Sequence, residues 1–175
     1  SAIGLILAIL ISQVDYENIC ALWPVWAGIS LILVGLTFTP LGLAVPGTDD
    51  KAWINIPLGP MSTTFQPSEL MKIVFIITFS KHLSVVRDRL NQLSTLVLVG
   101  LHGLLPIGLV MAQGDDGTAL VFICMFVAML FAAGLKSLYM AIGATAVVAM
   151  VPVGWMLLDE QKTARILALI YPEEY

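Results

Sequence analysis

Long apolar runs alternate with short polar breaks along this chain, the runs falling at residues 1–14, 19–45, 70–79, 93–112, 118–135 and 138–158. Runs of this length predict six hydrophobic helices rather than strands. The first covers about 14 residues, or roughly 21 Å at 1.5 Å per residue, short of the roughly 30 Å hydrocarbon layer. It reads as cut at its beginning. With Ser1 in place of an initiator methionine and a polar end at Tyr175, the chain reads as an internal segment without a signal peptide. The third run is long enough to span only when counted over residues 67–83, about 17 positions.

Composition fixes the compartment. Hydrophobic residues make up 59% of the chain and charged residues 11%, with a mean hydropathy of +0.96. Soluble domains carry about 25% charged residues, so an integral membrane protein is expected. The formal charge of −4 is dispersed over short loops and does not form one steering field. A nucleic-acid partner is not expected. Cys20 and Cys124 lie in apolar surroundings without CxxC or Cys/His spacing and read as buried small hydrophobes. The sequence holds no metal-ligand signature and identifies no cofactor.

Lysine and arginine set the orientation. Lys81, Arg87 and Arg89 cluster with His82 in one loop, and Lys136 marks another, so both loops are expected on the cytoplasmic side. Alternation then sends residues 46–66, 113–117 and 159–175 to the outer face. Lys51, Lys162 and Arg165 fall on that outer side and weaken the assignment slightly. Trp23, Trp26 and Trp155 near segment ends read as an interfacial aromatic belt.

The outer segments hold most of the candidate chemistry. Residues 47–60 form a glycine- and proline-punctuated loop too long for a simple turn. Trp53 within it is either an interfacial anchor or a platform on which a sugar or lipid head group stacks. Pro67 suits the first turn of a helix and Glu69 its positive dipole end, but Lys72 opposes the dipole. An ammonium so close to hydrocarbon is expected to face a protein cavity and a partner. In Gln113-Gly114-Asp115-Asp116-Gly117-Thr118, one aspartate can cap the next helix. The adjacent pair also suits a divalent cation or a carbohydrate. Residues 159–175 suggest an amphipathic helix on the interface, either a solvated lipid-surface helix with no ligand, which spacing alone favours, or one with Arg165 available for phosphate. His102, between Gly100 and Gly103, reads as a satisfied imidazole at a helix contact.

These motifs carry a resemblance. Trp53-Ile54, then Phe65-Gln66-Pro67-Ser68-Glu69-Leu70 with Lys72, then Gly114-Asp115-Asp116-Gly117-Thr118, then Arg165-Ile166 before Pro172-Glu173, are similar in collinear order to the SEDS family of bacterial shape, elongation, division and sporulation proteins. The resemblance implies an all-α, polytopic transmembrane helical bundle in the bacterial cytoplasmic membrane. Family members cross the membrane about ten times, so the six spans here correspond to roughly the second to the seventh. The chain then forms a single membrane domain over residues 1–175, with an outer loop at 46–66, a cytoplasmic loop at 81–92 and the start of a large outer loop at 159–175.

The function the resemblance implies is peptidoglycan polymerisation, in which glycan is transferred from lipid II and undecaprenyl pyrophosphate departs, with a class B penicillin-binding protein as partner. It implies substrate contacts at Trp53, Glu69, Lys72, Asp115 and Arg165. It places the presumed catalytic aspartate farther along the large outer loop, so no residue of this chain is assigned as catalytic. Lys72 suits the holding of a departing pyrophosphate. Glu69 suits the positioning of Lys72 more than a general base, because the helix dipole favours its charged form. Two departures stand out: Ala52 occupies the position before Trp53 where the family often has a basic residue, and the common Gln-Pro-Asp-Leu-Gly-Thr run becomes Gln-Gly-Asp-Asp-Gly-Thr. A lipid flippase or other transporter, and a noncatalytic scaffold for cell-wall synthases, are the rival readings.

Overall fold

The computed structural model describes residues 4, 9, 13, 16–44, 50–58, 61–157 and 163. The expected first span and the interfacial helix with Arg165 therefore lie outside the described residues. Those described are mostly helical: α1 (Tyr16–Ala21), α2 (Trp23–Thr37), α3 (Pro67–Val86), α4 (Leu93–Ala112), α5 (Asp116–Ala132) and α6 (Ser137–Leu157). Three short strands, β1 (Gly42–Leu43), β2 (Trp53–Leu58) and β3 (Met61–Phe65), lie between α2 and α3. Residues 1–134 form one compact unit and residues 135–175 a second.

Proline and glycine set the helix limits. Pro24 in the first turn of α2 and Pro67 at the start of α3 sit where a missing N–H removes no helical bond. The expected apolar run at 19–45 is not one helix. It breaks at Leu22, and α2 stops at Thr37, where Phe38 caps it by donating its N–H to the Gly35 carbonyl. Pro40 follows, and the remaining apolar residues enter β1. Greasy composition alone cannot distinguish these states, since a lipid-facing helix and a short strand are both apolar throughout.

The sheet was not expected from the sequence. β1, β2 and β3 pair antiparallel in that order, with Leu43 opposite Trp53, Ile54 opposite both Gly42 and Phe65, and Leu58 opposite Met61. The segment between α2 and α3 thus contains a hairpin that ends one residue before α3.

α3 runs past Lys81 and His82 to Val86 and leads into a 3₁₀ turn at Arg87–Arg89. Twenty helical residues place the two ends of α3 about 30 Å apart, the thickness of a hydrocarbon layer. α4 returns beside it, and its Gln113 end meets the hairpin, where the Lys51 N–H donates to the Gln113 carbonyl at 2.9 Å. α2 and α4 thus run toward the hairpin, and α3 and α5 run away from it.

The core between these four helices is aromatic. Phe75 stacks on Phe79 with centroids 5.0 Å apart and meets Phe122 edge-on, and Phe79 packs against Phe126. Gly103 makes room for Phe126, because a Cβ there would collide with the ring. Large apolar side chains also line the outside: Leu98, Leu101 and Leu104 on α4 are 60%, 61% and 58% exposed. Leu93–Ala112, with mean hydropathy 2.0, is the one helix among the described residues that is long and apolar enough by itself to cross a membrane. Cys124 is exposed on α5 and Cys20 half-buried, contrary to the expected burial of both. In an all-apolar helix, an apolar neighbourhood in sequence does not say which face a residue occupies.

Candidate functional site

Of the sites read from the sequence, Trp53, Glu69, Lys72 and Asp115 lie on the hairpin, the start of α3 and the α4–α5 turn, while Arg165 lies outside the described residues. Trp53 opens β2, half-buried. Ala52 just before it is 2% exposed, while Lys51 is exposed. A basic side chain at position 52 would be forced into that packed position, so the charge stands one residue earlier.

Glu69 lies in the first turn of α3, and Lys72 follows one turn later. Lys72 Nζ is 2.8 Å from Glu69 Oε1, with the lysine side chain 23% exposed and the glutamate 58%. The carboxylate compensates the ammonium that the dipole disfavours at this helix end. Ser68, beside them, is fully buried, and its hydroxyl has no partner among the described residues.

The turn after α4 is shaped by Gly114, whose φ of +87° is inaccessible to proline. This accounts structurally for the departure from Gln-Pro-Asp: a chain that turns this way requires glycine there. Asp115 then caps α5, its Oδ1 accepting from the Thr118 N–H at 2.9 Å. Its Oδ2 accepts from Gln66 Nε2 at 2.8 Å, across 49 residues of sequence. Asp116 falls in the first turn of α5 and is exposed. Of the adjacent aspartates, the first is the helix cap, and both of its oxygens are engaged by protein donors.

Gln113 fastens the same corner from below. It is 2% exposed, its Nε2 donates to Thr37 Oγ1, and Thr37 Oγ1 donates to the Val34 carbonyl at 2.7 Å. Gln113 Oε1 is buried with no partner among the described residues. Sequence reasoning quoted Gln66 and Gln113 inside motifs but gave neither a role. Their partners lie far along the chain, so only the shared polar character of the outer loops signalled them.

His82, grouped in the sequence with the basic loop, instead lies within α3 and faces α4. His82 Nδ1 is 3.0 Å from His102 Nδ1, and His102 Nε2 is 3.2 Å from Thr78 Oγ1. This supplies the satisfied imidazole expected for His102. A narrow cleft of about 60 Å³ between α2, α3 and α4 opens beside it, lined by Ser30, Phe75, Thr78 and Leu105 among others. No group of three or more metal-ligating side chains occurs among the described residues.

The chain is similar to known proteins over most of its length. The probable peptidoglycan glycosyltransferase FtsW of Trichlorobacter lovleyi is 30% identical over 98% of this chain and 44% of its own length. The peptidoglycan glycosyltransferase RodA of Treponema pallidum is 32% identical over 77% of this chain and 29% of its own. This chain thus spans less than half the length of these curated relatives. A chain from a peptidoglycan synthase complex, solved to explain how polymerization and crosslinking are coordinated, superposes with a TM-score of 0.80 at 28% identity, over 98% of this chain and 49% of that one. A mutant of the rod shape determining protein RodA from Thermus thermophilus gives 0.67 at 29% identity, over 85% of this chain and 47% of that one. The family model for the FtsW, RodA and SpoVE cell cycle proteins matches residues 1–175, and the chain belongs to that family, the SEDS proteins of bacterial cell-wall synthesis.

Proposed function

We propose that the full-length protein carrying this segment is a peptidoglycan polymerase, embedded by multiple helical spans in the bacterial cytoplasmic membrane, that uses lipid II as substrate. The observation that carries this reading is the half-buried Lys72 held by Glu69 at the start of α3, beside the hairpin that bears Trp53. The outward-facing leucines of α4 support contact with membrane lipid. Six spans are the expected content of residues 1–175.

In the reaction, an attacking sugar hydroxyl forms a bond to the anomeric carbon of a second lipid-linked sugar. The bond from that carbon to pyrophosphate breaks, and the hydroxyl proton passes to a base. The base is assigned to an aspartate in the large outer loop that follows, not to a residue of this segment. Negative charge accumulates on the departing pyrophosphate, and a fixed ammonium stabilises it more in the transition state than in the ground state. Lys72 takes that role. Trp53 is assigned to stacking on the sugar or head group, and Arg165 to a phosphate. A class B penicillin-binding protein is the expected partner, with the peptidoglycan synthase complex as the structural precedent.

The test is direct: full-length protein, purified with its penicillin-binding partner, is given labelled lipid II, and glycan is read on a gel. Polymer that requires the membrane protein supports the reading. Polymer made equally well by the partner alone contradicts it.

A further inference from the structure

The geometry points to Gln66 and Asp115 as a positioning pair that ties the starts of α3 and α5 together and so fixes where Lys72 stands during polymerisation; this rests on the polymerase reading above. Gln66 is the N-cap residue of α3, yet its side chain makes no capping bond to its own helix. It crosses instead to Asp115, the N-cap residue of α5. Two helices that run in the same direction are thus joined cap to cap, by a bond between half-buried side chains. Lys72 lies six positions after Gln66, and Pro67 keeps the intervening turn stiff.

The bond has a defined polarity. An ionised carboxylate only accepts, so Gln66 must present its amide N–H₂ to Oδ2, while Oδ1 stays on the Thr118 N–H. That polarity separates a positioning role from a direct role of the Asp115 charge on substrate. Asp115→Asn keeps an oxygen for the cap and offers an N–H₂, which Gln66 can meet by rotating its amide. Gln66→Glu sets two carboxylates against each other at hydrogen-bonding distance, and the pair must separate. Combining the two substitutions restores the bond with donor and acceptor exchanged.

The experiment measures kcat and KM for lipid II polymerisation, and Tm in detergent, for full-length wild type, Gln66→Glu, Asp115→Asn and the double variant. The expected result is a tenfold or greater fall in kcat for Gln66→Glu, a fall at least threefold smaller for Asp115→Asn, and recovery of the double variant to within about threefold of wild type. Tm should follow the same order. An Asp115→Asn variant as impaired as Gln66→Glu, with no recovery in the double variant, would mean that the carboxylate's charge acts directly and would overturn the proposal. Unchanged kcat and Tm in Gln66→Glu would overturn it as well. A wild-type protein that forms no glycan would instead remove the polymerase reading and the catalytic half of the inference. The Tm cycle alone would then decide whether the two helix starts are tied.

Discussion

Lys72 Nζ sits 2.8 Å from Glu69 Oε1 on the same face of α3, and the ammonium is the more sheltered of the two groups. An ion pair with one partner this exposed is weak, because solvent screens it and both side chains lose rotamer freedom. Lys72→Ala and Glu69→Gln should each cost less than about 1 kcal/mol in thermal unfolding. A loss several times larger would show that the pair holds the helix start together.

Gly103 and Gly100 lie three residues apart on α4 but face different surroundings. A Cβ on Gly103 would meet the ring of Phe126, itself packed on Phe79, whereas one on Gly100 meets nothing within 4 Å. Gly103→Val should destabilise by about 1–3 kcal/mol through overpacking. Gly100→Ala should be neutral or stabilise by up to about 1 kcal/mol, since alanine is the better helix former. Thermal unfolding of the two variants in the same detergent checks both.

The buried Thr37 and Gln113 should respond unequally. Thr37→Val removes the one partner that the Gln113 amide nitrogen has among the described residues and should cost about 1–3 kcal/mol, the usual penalty for stranding a buried polar group. Gln113→Leu leaves Thr37 bonded to the Val34 carbonyl and also removes the unpaired Oε1, so it should cost less. Unfolding measurements that reverse this order would contradict the bonding described for the corner.

The sequence made some of this site visible and hid the rest for physical reasons. Lys72 and Glu69 were legible because ionisable side chains next to hydrocarbon need a local explanation, and their spacing of three is a helical neighbourhood. The capping role of an aspartate before Gly117-Thr118 was legible from local chemistry as well. The hairpin was missed although Gly59-Pro60 between Trp53-Ile54 and the Thr63-Thr64-Phe65 run is a turn signal flanked by strand formers. The length and polarity of the loop obscured it. The end of α2 at Thr37 is not legible because the run is apolar on every side and lacks the polar stripe whose end would mark the helix limit. The Gln66–Asp115 and His82–His102 contacts join residues 49 and 20 positions apart. Only the antiparallel return of α4 and the parallel α3 and α5 bring those pairs together.

The proposed role of the Lys72 ammonium in stabilising the departing pyrophosphate stands or falls on the rate of glycan formation by Lys72→Ala in full-length protein with its penicillin-binding partner. Because the ion pair contributes little to folding, a variant that keeps its Tm isolates the charge from the structure. Its kcat should be roughly a hundredfold lower, the scale for removing a single charge-stabilising group from a transition state. A folded Lys72→Ala protein that polymerises lipid II within about twofold of wild type would contradict it.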